Sequence, residues 1–300
     1  MATKFGVHTG LQHTTMDELV SLWQQIEGLG FDWISIWDHF YAADLTGNPS
    51  CLEAVAAHAA LAASTSRVRC GSLVYCVGYR HPAVLAKSIT TIDLLSGGRA
   101  DIGLGAGWSE VEYKAFGLRF PPVGERMDML EEAAACVRGL LRSPDGFSFS
   151  GAHFSLDDAA NAPRPVQDAL PVWIGGGGEK RTLKIAAQFA DGWNVPFVSP
   201  AVFAAKRAVL HEWCARVGRN PAEIRCAVNL GYARDEADMA EQFANLRMAV
   251  APGVLIGGPA QVAERVQEYI EAGADQVNLA LRAPWDPDRL EKAAAALGLG

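Results

Sequence analysis

Short apolar runs of strand length alternate with amphipathic helical stretches from one end of this chain to the other. That repeat restricts the fold more than any other feature. Lys4–Val7 reads as a first strand. Thr15-x-x-Glu18 is a capping-box pattern, after which Leu19, Leu22, Trp23, Ile26 and Leu29 recur at helical spacing until Gly30. Asp32–Trp37 is apolar on both faces, as a strand inside a parallel sheet is. The unit then repeats: a helix at Ala54–Ala63, a strand at Val68–Tyr75, and a helix opened by Pro82 and stopped at Gly97-Gly98. Ala100–Leu104 is the fourth strand, followed by a long helix with Met127, Leu130, Ala134, Val137 and Leu141 on one face. Pro171–Ile174, Gly192–Val195, Ile224–Leu230 and Gln276–Leu281 supply strands five to eight, with Val254–Gly257 as a short extra piece. Eight strand–helix units predict a single (β/α)₈ barrel over residues 1–300 rather than an open doubly wound sheet. The stretch 143–167, rich in Gly, Asp and Pro, breaks the alternation and reads as an inserted loop of the kind that covers a site.

Composition narrows the function. Half of the 300 residues are apolar and 20% are charged, which supplies a large core. A net charge of −8 argues against a nucleic-acid or anionic-membrane partner, and no run of about 18 apolar residues is present. The amino terminus runs directly into a strand without a basic, apolar leader, and the six cysteines form no C-x-x-C pair. Both features predict reduced thiols and a cytoplasmic protein.

In a barrel, chemistry belongs at the carboxyl ends of the strands. Those positions hold His8, Asp38-His39, Gly71-Ser72-Leu73, Gly105-Ala106-Gly107-Trp108, Gly175 to Gly178 and Trp193-Asn194. Two glycine-rich turns on one rim suggest that a ligand approaches the backbone closely. Gly175-Gly176-Gly177-Gly178 leads into a helix, so its N–H groups suit a phosphate, and Lys180, Arg181 and Lys184 add charge. A tight turn with no ligand is the competing reading. Gly103, Gly105 and Gly107 do not make a G-x-G-x-x-G fingerprint. His39 is the acid–base candidate, with a nearby carboxylate able to fix its tautomer. Glu110, Glu112 and Tyr113 lie just beyond Trp108 as candidate polar groups, with solvated helix residues the preferred reading. A metal-dependent hydrolase would need several ligands at strand ends, and His8 and His13 lack the His-x-His spacing, so no metal is expected.

Five segments together carry a family likeness: SIWDHF (35–40), YRHPAVLAK (79–87), LLSGGRADIGLGAGWSEVEY (94–113), FPPVGERMDMLEEA (120–133) and IGGGGEKRTLKIAAQFADGWN (174–194). The chain resembles the bacterial luciferase-like family, and within it the branch that depends on the deazaflavin coenzyme F420. The resemblance implies an oxidoreductase that moves a hydride between F420 and a small organic substrate. The alternative within the family is a monooxygenase using reduced FMN and oxygen. It further implies a non-proline cis bond at Ser72–Leu73, or one residue later, in a bulge behind the ring, with Tyr75 closing that strand beside the cofactor. Asp38 matches a cofactor-contacting aspartate and His39 the active-site histidine. Ala106, Gly107 and Trp108 match positions along the ring, while Gly176, Gly177, Gly178, Lys180 and Arg181 match the phosphate cradle. The sugar-phosphate dehydrogenases of this branch carry a glutamate where this chain has Trp108 and a tryptophan where it has Ala43, so glucose 6-phosphate is not an expected substrate. Relatives often pair through helices on one side of the barrel, an analogy that allows a homodimer and leaves the oligomeric state open.

Overall fold

Thr15 and Glu18 do form a capping box. Thr15 Oγ1 accepts the Glu18 N–H at 3.3 Å, and Glu18 Oε2 accepts the Thr15 N–H at 2.8 Å. The helix they start, α1 (Met16–Gly28), follows strand β1 (Lys4–Thr9) and buries Leu19, Leu22, Trp23 and Ile26 against the sheet. The computed structural model describes residues 2–43, 49–243 and 246–299.

Around the ring come β2 (Trp33–Ile36), α2 (Ala54–Ser64), β3 (Arg69–Ser72), β4 (Tyr75–Cys76), α3 (Pro82–Ser96) and β5 (Ile102–Gly105). A short helix, α4 (Glu110–Ala115), precedes the long α5 (Val123–Arg142). Strands β6 (Phe147–Ser150) and β7 (Ser155–Ala159) stand apart from the ring. The ring continues with β8 (Val172–Gly175), α6 (Thr182–Phe189), β9 (Gly192–Pro196), α7 (Pro200–Arg216) and β10 (Arg225–Ala233). Helices α8 (Glu236–Phe243) and α9 (Arg247–Val250), strand β11 (Val254–Ile256), α10 (Pro259–Glu271), β12 (Gln276–Leu281) and α11 (Pro287–Ala296) complete the order.

The parallel neighbours run β3-β2-β1-β12-β10-β9-β8-β5-β4, with β11 beside β10. Since β3 and β4 are two pieces of one stave, the path returns to its start. A bridge between Cys70 and Ala100 joins that stave to β5 and closes the barrel. The expected barrel is therefore present, with eight staves, and β12 has the bounds read from the sequence.

Two expectations are corrected. The third strand is not continuous over 68–75: a cis bond between Leu73 and Val74 interrupts it, at the later of the two positions that the resemblance implied. The segment 143–167 contains an antiparallel hairpin, β6 with β7, rather than a bare loop. Glu132 of α5 accepts the N–H groups of Ala152, His153 and Phe154 at 2.8–3.0 Å, and Asn161 bonds Thr90 of α3 at 2.9 Å. The hairpin is thus fastened to the outer helices, and no residue of 143–167 lines the rim cavity described below.

Inside the barrel, Trp33 and Trp173 stack at 5.1 Å, packed with Leu73, Ala227 and Val74. Beside this apolar tier, Gln276, Asn278, Asn229 and Asn194 form an amide chain with 2.9 Å links. The chain satisfies polar groups that the barrel interior would otherwise leave without partners.

Candidate active site

A cavity of about 480 Å³ opens at the carboxyl ends of the staves, and every stave contributes to its wall. His8, Trp37 and His39 enter from β1 and β2, and Leu73 and Val74 from the interrupted stave. The turn 105–108 follows β5, Gly175 and Gly176 end β8, and Asn194, Asn229 and Arg282 come from the last three staves.

His39 is half-buried, and its Nδ1 lies 2.9 Å from Oε2 and 3.1 Å from Oε1 of Glu112. Glu112 projects inward from α4 and is 1% exposed. Its Oε1 also accepts the N–H groups of Phe40 at 2.7 Å and Tyr41 at 2.8 Å, while Oε2 accepts Tyr79 Oη–H at 2.8 Å. Burial alone would raise this carboxyl, but the contacts with His39, the Tyr41 N–H and Tyr79 outweigh it and hold the pKa at about 2. The carboxylate beside His39 is therefore Glu112 and not the adjacent Asp38. Asp38 is 4% exposed and is committed elsewhere, to Arg80 at 2.6 and 3.1 Å and to the Cys76 N–H at 2.9 Å. Arg80 also pairs with Glu53. Trp108 meets the His39 ring edge-on at 5.3 Å and is 56% exposed at the mouth. His8 bonds Ser35 through Nδ1 at 2.8 Å, and burial with the nearby Arg282 charge lowers its pKa to about 3, so it is neutral.

Residues 1–250 match the family described as luciferase-like monooxygenase. The chain belongs to this family of enzymes. A relative from Kineococcus radiotolerans, an F420-dependent glucose-6-phosphate dehydrogenase, is 30% identical over 253 residues, covering 81% of this chain and 72% of the relative. An uncharacterised Mycobacterium tuberculosis protein is 36% identical over 134 residues, 45% of this chain and 46% of that protein, so this match spans about half its length. The structure of an F420-dependent secondary alcohol dehydrogenase in complex with an F420-acetone adduct has the same fold. Its TM-score is 0.88 at 21% identity, over 99% of this chain and 98% of that one.

Within the luciferase-like barrel the expected site residues divide. Asp38, His39, Leu73, Ala106, Gly107, Trp108 and Gly176 line the cavity. Ser72 and Tyr75 do not. Ser72 Oγ stays in the β-ladder, bonding Gly103 N and O at 3.0 and 3.3 Å, and Tyr75 turns into the core to bond His58 at 2.8 Å. With the bulge at Leu73–Val74, those two side chains are the ones that reach the barrel interior. Gly177, Gly178 and Lys180 lie at the rim beyond the cavity wall. Arg181 pairs with Asp128 at 2.6 Å and Glu131 at 3.3 Å, and Lys184 with Glu131 at 3.2 Å, so both cations face α5.

The glycines also have a second reading. A Cβ at Gly105 would overlap Val74 Cγ2, and one at Gly175 would sit 2.6 Å from Val74 Cγ1. At these two positions the close neighbour is the chain's own valine. Glu112 and Tyr113, expected in solvent, are buried. A six-residue helix is too short to show a buried face by periodicity, and the one local sign is that Glu112 sits between Val111 and Tyr113. Among the described residues, no group of three or more His, Cys, Asp or Glu side chains is placed to hold a metal ion. Among them, too, no helix is long and apolar enough to cross a membrane.

Proposed function

We propose that this protein transfers a hydride between the deazaflavin coenzyme F420 and a small organic substrate. The observation that carries the reading is the single cavity that gathers His39, the Leu73–Val74 bulge, the turn 105–108 and Gly175–Gly176. Its volume falls in the range of roughly 300–1,000 Å³ that small-molecule sites occupy. The residues fit a flat, largely apolar ring: Leu73, Val74, Ala106 and Trp108 offer apolar surface, and polar atoms converge from His39, Asn194 and Asn229. When bound, F420 would supply the hydride chemistry at C5.

The chain's own residues would do the rest. Leu73 and Val74 back the ring, and Ala106, Gly107 and Trp108 flank it. Gly177 and Gly178 offer backbone N–H groups to phosphate beside the start of α6, with Lys180 adding charge, while the Gly176 N–H is held by Asn194 O at 2.9 Å. Arg181 joins them only by leaving Asp128 and Glu131. His39 faces the substrate and stabilises or moves a proton there. The 30% identical relative named for F420 supports this cofactor. Trp108 and Ala43, which stand at the cavity in place of an acid and a second indole, argue against a sugar phosphate. A cytoplasmic location belongs to the same proposal, supported by six free cysteines.

Titration with F420 and with FMN, each followed by tryptophan fluorescence, tests the cofactor, because Trp37 and Trp108 line the cavity. F420 is expected to bind more tightly; FMN binding much tighter than F420 would overturn the reading in favour of a flavin monooxygenase. Glucose 6-phosphate is expected not to reduce F420, and measurable reduction would remove the argument from Trp108.

A further inference from the structure

The helix that follows the 105–108 turn places a buried carboxylate against the inner nitrogen of the site histidine. We propose that Glu112 is a positioning residue for His39, holding the proton on Nδ1 so that Nε2, bare of hydrogen, is the nitrogen offered to the substrate. This rests on the hydride-transfer reading above.

Four groups approach the Glu112 carboxylate: the Phe40 and Tyr41 N–H groups, Tyr79 Oη–H and His39 Nδ1. The first three can only donate to it in this geometry. An ionised carboxylate can only accept, so a contact of 2.9 Å from His39 Nδ1 requires a proton on that nitrogen. In neutral His39 the remaining nitrogen is then an acceptor. Charges packed around the pair do not compete for the ring: Asp38 is held by Arg80, and Arg80 also by Glu53. The edge-on Trp108 ring limits rotation of the imidazole.

An acceptor at Nε2 suits a substrate that releases a proton as its carbon is oxidised. The O–H bond of the substrate breaks with its proton going to His39 Nε2. When bound, oxidised deazaflavin would accept the electron pair of the neighbouring C–H bond as hydride, so that the C=O bond formed balances the proton taken by His39 Nε2.

The substitution Glu112→Gln makes an inverse prediction. The Phe40 and Tyr41 N–H groups need an acceptor, so they hold the amide oxygen where Oε1 now lies. The amide NH₂ then takes the Oε2 position, which is nearer to His39 Nδ1 at 2.9 Å than Oε1 at 3.1 Å, so the shorter contact becomes a donation to Nδ1 and favours the ring proton on Nε2. Nitrogen-15 NMR of labelled histidine, recorded without cofactor at a pH where His39 is neutral, is expected to show the Nδ1–H form in the wild type and the Nε2–H form in the variant. With cofactor and substrate, kcat is expected to fall about 10²–10⁴-fold, while KM and cofactor affinity stay within about twofold. A wild-type spectrum showing Nε2–H would overturn the proposal, and that measurement does not depend on the variant folding. A variant that reverses the tautomer but keeps full kcat would also overturn it. Loss of cofactor affinity with an unchanged tautomer would assign Glu112 a structural role instead. Failure of the wild type to bind F420 would remove the hydride reading alone, leaving the tautomer result standing.

Discussion

Val74 shows how one side chain shapes a catalytic rim. Gly103, Gly105 and Gly175 all surround it, with a Cβ at Gly103 meeting its Cγ1 at 3.1 Å. Gly105→Ala is therefore expected to destabilise the fold by about 1–3 kcal/mol, the usual cost of overpacking a tight core. Adding Val74→Ala to the same chain should recover part of that loss, measured by urea denaturation. Additive losses would show that Val74 is not the obstacle. The glycine turns were legible as close approaches from the sequence alone, but not what approaches them. At Glu112 the sequence misled: a glutamate beside an exposed valine in a charged stretch looks solvated. Only the packing of α4 under Phe40 and Tyr79, whose rings stack at 4.3 Å, takes it out of water.

At the scale of elements, the hairpin β6–β7 marks the difference between a break in the pattern and a part of the site. Long irregular insertions suggest a lid, yet this one joins an outer helix to the start of the next strand, away from the strands' carboxyl ends. Its attachment runs through Glu132, which three successive N–H groups share. Glu132→Ala is expected to lower the melting temperature while leaving F420 affinity unchanged within about twofold, by thermal melts and fluorescence titration. A large loss of affinity would instead make the hairpin part of the site. The helices and most strands were legible because 3.6-residue and continuous apolar patterns are local properties. The interrupted third stave leaves no periodic trace in eight residues, and only the family resemblance, which implied a cis bond at Ser72–Leu73 or one residue later, pointed to it.

For the whole molecule, acid sensitivity follows from two buried histidines. Burial lowers His8 to about 3, with help from Arg282, and His58 to about 4. Their folded pKa values lie below the unfolded value of 6.5, so the unfolded chain takes up protons first as pH falls. The stability that these two contribute is complete above about pH 6.5 and is lost as pH falls toward 4 and 3. Each adds a slope of about 1.4 kcal/mol per pH unit once only the unfolded state is protonated. The unfolding free energy is expected to drop by about 2–4 kcal/mol between pH 7 and pH 5, and His58→Gln should remove about half of that drop. Equal stability at the two pH values would contradict this. The sequence by itself determined the barrel, its strand order and the rim on which chemistry belongs, because period and turn residues act over a few positions. It also placed His39 and Trp108 at that rim. Only the tertiary structure decided that Asp38 belongs to Arg80 and His39 to Glu112, that Arg181 faces α5, and that Ser72 and Tyr75 turn from the cavity. Those pairings join residues up to 73 positions apart, and such contacts exist only once the staves have closed.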